Sequence, residues 1–218
     1  MSSRPRVPMR PAATAFWMFV MAIVLVAWAG VREMFVQAYV FDGPSMEPNY
    51  LHGDRVVVDQ TAYGLKLPRS PTAATTWAEP EPGDVVLLVS PADGVYIIKR
   101  VIGVAGQSVE IEGGATYIDG EPIPRRLIGP CEPARQKELD PDCVVFEETV
   151  GEVTYRVAQE RTWAELDRGA MLVPPGHVYV RGDHRDRSND STNPLIGAVP
   201  VELVHGRVWF TYWSGRRR

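Results

Sequence analysis

The chain has 218 residues and a formal net charge of −4 at pH 7. Its length accommodates one medium-sized domain with appendages, and its acidic balance excludes a protein that binds nucleic acid through its overall charge. The 19 glycines and 19 prolines favour short strands joined by turns over long helices.

The first predicted element is an apolar helix. Residues 12–31 contain no charged side chain, and about 20 apolar residues in a helix can cross a bilayer core. The preceding basic tail, residues 1–11, is expected to stay in the cytoplasm, so that everything after Arg32 is exported. A cleavable secretory signal ending at residues 27–29 is an alternative for this segment. The length of the apolar run, with a tryptophan near each end, favours an uncleaved transmembrane anchor.

The elements after the anchor are predicted to be strands. Apolar, β-branched runs bounded by Gly, Pro or Asp lie at residues 55–59, 84–89, 95–103, 108–111, 178–181 and 207–212. Asp119-Gly120 predicts a hairpin over residues 116–123, and residues 144–157 are predicted to form a second one. Two segments, 66–82 and 124–143, are predicted to be loops.

The two cysteines, Cys131 and Cys143, lie in a segment rich in proline and charge. In an oxidising compartment they could close a short loop by a disulfide, and two free thiols are the alternative. A zinc site is not expected, because further ligands are missing nearby.

Lys99 is the first candidate for chemistry. It lies within the apolar run 95–103, and a lysine on an apolar strand face pays a desolvation cost unless it is paired or sheds its proton. The neutral amine is a general base. A lone lysine in a strand is more often exposed and without function, so the hypothesis needs a matching nucleophile.

Ser45 is the candidate nucleophile. Gly43, Pro44 and Pro48 surround it and force an irregular backbone that presents a hydroxyl at a fixed angle. The Ser45 backbone N–H is then free to point at an oxyanion. A serine in a turn is, taken alone, usually only a turn residue.

Four segments in order make a larger pattern. They are Ser45-Met46 just after the apolar run, Gly53-Asp54 before a valine-rich strand, Lys99-Arg100, and the box from Gly182 to Ser191. Behind an N-terminal anchor, this series resembles bacterial signal peptidase I, the membrane-anchored serine endopeptidase that removes signal peptides. The resemblance covers essentially the whole chain.

The resemblance implies roles for individual residues. Ser45 would attack the scissile carbonyl, and Lys99 would take its proton and pass it to the leaving amine. Ser188 would orient the lysine amine. No metal or organic cofactor is implied.

The remaining roles concern support of the site. The resemblance makes Asp183 and Arg100 a structural ion pair, Asp190 a further support, and Met46 a residue that shapes the substrate cleft. Many relatives carry a serine oxyanion donor where this chain has Gly43, although other members also have glycine there. The box also departs from the common pattern, with His184 and Thr192 in place of Asn and Arg.

The fold implied by the resemblance is mainly β, with an antiparallel-sheet catalytic core from residues 32–106 and 173–218. A small β subdomain would be inserted at residues 107–172, and would contain the cysteine pair, as a disulfide does in some relatives. The protein is expected to be a monomer in the cytoplasmic (inner) membrane, with its catalytic domain on the periplasmic or other extracytoplasmic side. Its expected partners are the lipid bilayer and signal-peptide-bearing preproteins, which it would cleave after a small-x-small motif.

Three other readings are weaker. A Ser-His-Asp hydrolase would need a paired histidine, and the adjacent Asp183 and His184 would point opposite ways in a strand. A self-cleaving repressor-type peptidase shares the pair of a serine nucleophile and a lysine base (the dyad) and a related core, but it lacks a membrane span. A binding domain without activity would normally have lost Ser45 or Lys99.

Overall fold

The structure is a computed structural model that describes residues 11–66, 73–132, 142–160 and 167–215. Most of the predicted basic tail, residues 1–11, lies outside them. The described part begins with one helix, α1 (Pro11–Phe35). The first eight strands are β1 (Val36–Val40), β2 (Arg55–Asp59), β3 (Gly64–Lys66), β4 (Ala73–Thr76), β5 (Val85–Val89), β6 (Tyr96–Val104), β7 (Ser108–Glu112) and β8 (Ala115–Ile118). The next eight are β9 (Glu121–Pro122), β10 (Arg125–Pro130), β11 (Val144–Val150), β12 (Val153–Gln159), β13 (Arg168–Leu172), β14 (His177–Arg181), β15 (Val199–Pro200) and β16 (Val204–Trp213).

Helix α1 covers the predicted apolar segment and runs directly into β1. Proline suits its first position, because the amide hydrogen that proline lacks would have no partner there. Over the part of the chain that the structure describes, no helix combines the length and the hydropathy needed to cross a membrane. The predicted helix is present in the structure, whereas its role as a transmembrane anchor stays a prediction.

The largest sheet has seven strands in the order β1-β2-β16-β5-β6-β14-β15, and each neighbouring pair is antiparallel. Its centre is buried on both faces. Val86 and Leu88 of β5 pack into one core cluster, and Val85 and Leu87 pack into another on the opposite face. Burial on both faces explains why β5 reads as a continuous apolar run.

Two smaller sheets follow the same antiparallel scheme, in the orders β10-β11-β12 and β13-β7-β8-β9. All of their strands lie between residues 107 and 172, and none of the seven strands of the large sheet does. A third core cluster joins them to the large sheet, with Val157 from β12 packed near Ile102 of β6 and Tyr179 of β14. The mainly β, antiparallel fold class is confirmed, whereas the domain boundaries stay a prediction.

The two predicted loops were partly wrong. Strand β4 lies within residues 66–82, and β10 lies within residues 124–143. β10 contains Gly129 and Pro130, which disfavour strands locally, but it pairs with β11 on both sides of a register shift between Leu127 and Gly129. The pairing partner, which no local pattern reveals, makes it a strand. Beyond β10, the structure joins Cys131 and Cys143 in a disulfide.

Candidate active site

Ser45 lies in a closed turn between β1 and β2, here called the serine turn (residues 41–54). The turn is closed at its base by two backbone hydrogen bonds, from Phe41 N–H to the Asp54 oxygen (2.9 Å) and from Gly53 N–H to the Phe41 oxygen (2.8 Å). Gly43 has φ = +91°, a left-handed conformation that glycine adopts without strain. The antiparallel pairing of β1 with β2 thus holds both ends of the turn.

Lys99 comes from β6, where it pairs with Val86 of β5. Its side chain is 3% exposed, and its Nζ lies 2.9 Å from Ser45 Oγ. Nζ also donates to the Ile98 carbonyl oxygen at 3.2 Å. Burial lowers the pKa of Lys99 to about 8, while the carboxylates of Asp190 and Asp183 act in the opposite direction. A neutral amine next to the hydroxyl is therefore accessible near neutral pH.

Asp183 and Arg100 are in contact behind Ser45 and Lys99. Arg100 Nε and Nη2 donate to the two carboxylate oxygens of Asp183 at 2.8 and 2.7 Å, and both residues are buried. The guanidinium also donates to the Gly83 oxygen and stacks over the ring of Tyr155 at 4.1 Å. Because Arg100 follows Lys99 in β6, this pair ties the strand that carries the amine to the box that begins at Gly182.

Asp190 holds the backbone of that box. Its Oδ2 accepts the Gly182 N–H at 2.8 Å, and its Oδ1 accepts the N–H and hydroxyl of Thr192. Gly182 packs so closely that a Cβ there would collide with the Ser188 side chain and the Ser45 carbonyl oxygen. The box is thus in direct contact with the backbone of Ser45.

Two predicted residues are placed differently from their expected roles. Ser188 Oγ is buried and has no hydrogen-bond partner among the described residues, so the predicted bond to Lys99 is not formed. Met46 is 1% exposed and packs in the core cluster with Phe41 and Ile98. It supports the serine turn from inside the core and does not line an open cleft.

Histidines do not contact the Ser45 hydroxyl in the described part of the chain. His184 donates its backbone N–H to the Ser45 carbonyl oxygen at 3.0 Å, but both of its ring nitrogens are buried without a hydrogen-bond partner. Burial, reinforced by Arg187, lowers the pKa of His184 to about 4. His52 Nδ1 accepts the Gly43 N–H at 3.0 Å. These contacts leave Lys99 as the basic side chain in hydrogen-bond reach of the hydroxyl.

Sequence reasoning missed His52 and a second residue of the serine turn, Asn49. Asn49 Nδ2 donates to Asp183 Oδ2 at 2.7 Å across a separation of 134 residues. A turn residue with a partner so distant has no local signal. Among the described residues, no group of three or more His, Cys, Asp or Glu side chains could hold a metal ion.

Comparison with known proteins places the chain in a family. The family model described as "Signal peptidase, peptidase S26" matches residues 13–213. The chain belongs to the signal peptidase family, peptidase S26. The predicted family and the predicted enzyme class, signal peptidase I, are thereby confirmed.

Two relatives that are similar in sequence agree with this assignment. The chain is 31% identical over 206 residues to a signal peptidase I of Pseudomonas fluorescens, with 89% of this chain and 69% of the relative covered. It is also 31% identical over 207 residues to a signal peptidase I of Pseudomonas aeruginosa, with the same coverage. A crystal structure of a signal peptidase I from Enterococcus faecalis is 23% identical, with 62% of this chain and 100% of that chain covered and a TM-score of 0.37.

Proposed function

We propose that this chain is a membrane-anchored serine endopeptidase that removes N-terminal signal peptides from exported preproteins after a small-x-small motif. Ser45 is the nucleophile and Lys99 the general base. One observation carries the assignment of the dyad, namely the 2.9 Å separation of Lys99 Nζ and Ser45 Oγ at a buried lysine. Membership of the signal peptidase family supports the substrate class.

The chemistry proceeds in two halves. Neutral Lys99 takes the proton of the Ser45 hydroxyl as Oγ bonds to the scissile carbonyl carbon. The peptide C–N bond then breaks, Lys99 delivers the proton to the leaving amine, and an ester on Ser45 remains. A water molecule attacks this ester with Lys99 again as the base, which releases the signal peptide's carboxylate and restores the hydroxyl. The Ser45 backbone N–H is our candidate donor to the oxyanion.

Two exposed apolar surfaces support the membrane anchor. Side chains of α1 such as Phe16, Met18 and Val26 are 60%, 68% and 74% exposed, and exposed apolar side chains on a helix are stabilised when lipid covers them. The end of β16 also exposes aromatic side chains, which favour the membrane interface: Trp209, Phe210, Tyr212 and Trp213. β16 pairs with β2, which pairs with β1, the continuation of α1.

In this proposal the N-terminus stays in the cytoplasm, and the domain after α1 acts as a monomer on the extracytoplasmic side. Residues 32–106 and 173–218 form the catalytic core, with residues 107–172 as the inserted subdomain. The anchor holds the site at the membrane surface, where cleavage points emerge, and so raises the effective substrate concentration.

The dyad is tested by cleavage of a preprotein in detergent or vesicles. Ser45→Ala and Lys99→Ala are each expected to abolish cleavage while the fold persists, because one removes the nucleophile and the other the base. Ser108→Ala is a control outside the site and is expected to keep full activity. Robust cleavage by well-folded Lys99→Ala protein would exclude lysine as the base.

The anchor is tested separately by N-terminal sequencing of protein purified from membranes. We expect a sequence that starts upstream of Gly30. A mature protein that starts at Gly30 would show that the apolar segment is a cleaved signal and would contradict the anchor.

A further inference from the structure

Strand β12 is an edge strand of its sheet, and residues of the proposed catalytic core cover the edge that no strand pairs with. It pairs with β11 on one side and ends its three-stranded sheet. On the other side, Ala158 N–H donates to the Asp183 carbonyl oxygen at 2.9 Å, and Glu160 N–H donates to Asp186 Oδ2 at 2.6 Å. Successive strand residues point their backbone groups to opposite edges, so Ala158 of β12 and Glu160, just after its end, both meet the box. Backbone N–H groups on the outer edge of β12 thereby find hydrogen-bond acceptors within the molecule.

Arg156, two residues before Ala158, continues this pattern with a side chain as its partner. Its carbonyl oxygen accepts a hydrogen bond from Asn49 Nδ2 at 2.7 Å. Its backbone N–H donates to Asn49 Oδ1, with nitrogen and oxygen 3.4 Å apart. The amide of Asn49 thus pairs with both backbone groups of Arg156, as a neighbouring strand would. The serine turn is docked on the inserted sheet at this point.

The second amide hydrogen of Asn49 is used as well. Nδ2 also donates to Asp183 Oδ2 at 2.7 Å, and an amide nitrogen carries two hydrogens. One side chain therefore uses all its donors to join three parts of the chain: the serine turn, strand β12 and the box.

These contacts lead from one member of the dyad to the other. Asn49 follows Ser45 by four residues in the same turn. The Asp183 carboxylate that accepts from Asn49 also accepts two N–H groups from Arg100, which is the peptide neighbour of Lys99. Hydrogen bonds from Asn49 to Asp183 and from Arg100 to Asp183 therefore connect the turn that carries Ser45 with the strand that carries Lys99.

We propose that Asn49, held by its hydrogen bonds to Arg156 of β12, is a positioning residue that sets the separation between Ser45 and Lys99. The inserted sheet then helps to hold the catalytic geometry. This inference rests on the proposed dyad. A displacement of about 1 Å between reacting groups costs about a hundredfold in rate, so loss of Asn49 acts on turnover and leaves substrate binding nearly intact.

The test measures kcat and KM of the full chain in detergent with a peptide substrate that spans a cleavage site. Asn49→Ala is expected to lower kcat by about 10- to 100-fold and to leave KM within about twofold. Thr154→Ala is the matched control, because Thr154 is an exposed residue of β12 whose hydroxyl hydrogen-bonds to that of Thr149 in β11. It is expected to leave both constants unchanged.

Asn49→Asp adds a readout that a general loss of stability would not give. It keeps the shape of the side chain but turns an oxygen toward the Asp183 carboxylate and the Arg156 carbonyl, both of which are acceptors. At pH 8 its kcat is expected to be below that of Asn49→Ala. Its activity relative to the unmodified protein is expected to rise as the pH falls, because protonation of the introduced carboxyl group restores a donor.

Ser45→Ala and Lys99→Ala in the same assay separate the two proposals. If either keeps its activity, the proposed dyad fails. If both are inactive while folded Asn49→Ala has a kcat within about twofold of the unmodified protein, or loses activity through KM alone, the positioning role is wrong and the dyad stands. If Asn49→Ala does not fold, a pH-independent activity ratio for Asn49→Asp overturns the inference.

Discussion

Burial of Lys99 couples both activity and stability to pH. The pKa of this lysine is lowered from 10.5 to about 8, so at pH 7 its neutral fraction is roughly 300-fold larger than that of a lysine in water. The same difference means that the native fold carries a cost of about 3 kcal/mol for the buried charge below pH 8.

Lys99→Met removes that cost. Methionine has a similar length and no charge, and it adapts well to a core. At pH 6 we expect this variant to be about 2 kcal/mol more stable than the unmodified protein, which is the 3 kcal/mol of burial less about 1 kcal/mol for the lost bond to the Ser45 hydroxyl.

The sign reverses with rising pH. Between about pH 8 and 10.5, the native protein releases the Lys99 proton while the unfolded chain still holds it, so the unmodified protein gains stability. The advantage of Lys99→Met is therefore expected to disappear by pH 10. Other titrating groups are shared by both proteins and cancel in the difference.

Chemical unfolding in detergent, followed by tryptophan fluorescence at pH 6 and pH 10, measures this difference. In parallel, kcat/KM of the unmodified protein is expected to fall about tenfold per pH unit below pH 8 and to level off above it. A Lys99→Met variant that is less stable at pH 6, or a gap that is equal at both pH values, would refute the burial argument.

Three further predictions concern the surroundings of the dyad. Asp183→Asn leaves Arg100 buried without its counter-charge and is expected to destabilise the protein by about 3–5 kcal/mol in chemical unfolding. His52→Ala removes an acceptor from the serine turn and is expected to lower kcat, whereas His52→Asn, with an oxygen near the Nδ1 position, is expected to restore it. Gly182→Ala drives a Cβ against the Ser45 carbonyl oxygen and is expected to abolish cleavage, with a lower melting temperature as the second readout.

The strands that sequence reasoning found are those whose own composition decides them. The run predicted at residues 95–103 is β6, Tyr96–Val104, because apolar, β-branched residues suit a sheet that is buried on both faces. Strand β10 was missed, because its Gly129 and Pro130 disfavour a strand and only the pairing with β11 stabilises it. Composition predicts an element where local preference and tertiary context agree.

The site divides in a similar way. The side-chain chemistry of Ser45 and Lys99, and an apolar strand around the lysine, can be read from the sequence. Three features could not be read from it: the burial of Met46, the unpaired hydroxyl of Ser188 and the hydrogen bond that His52 accepts from Gly43. Each depends on where a side chain points after the core has packed.

The amino-acid sequence alone thus predicted the candidate reactive groups, the family and the mainly β character of the chain. Tertiary structure alone decided which groups meet. Lys99 reaches Ser45 across 54 residues, and Asn49 reaches Arg156 across 107 and Asp183 across 134. Such contacts are set by the register of antiparallel strands, and a shift of one residue would turn every side chain to the other face. Register is a property of paired strands, and no single segment of the sequence contains it.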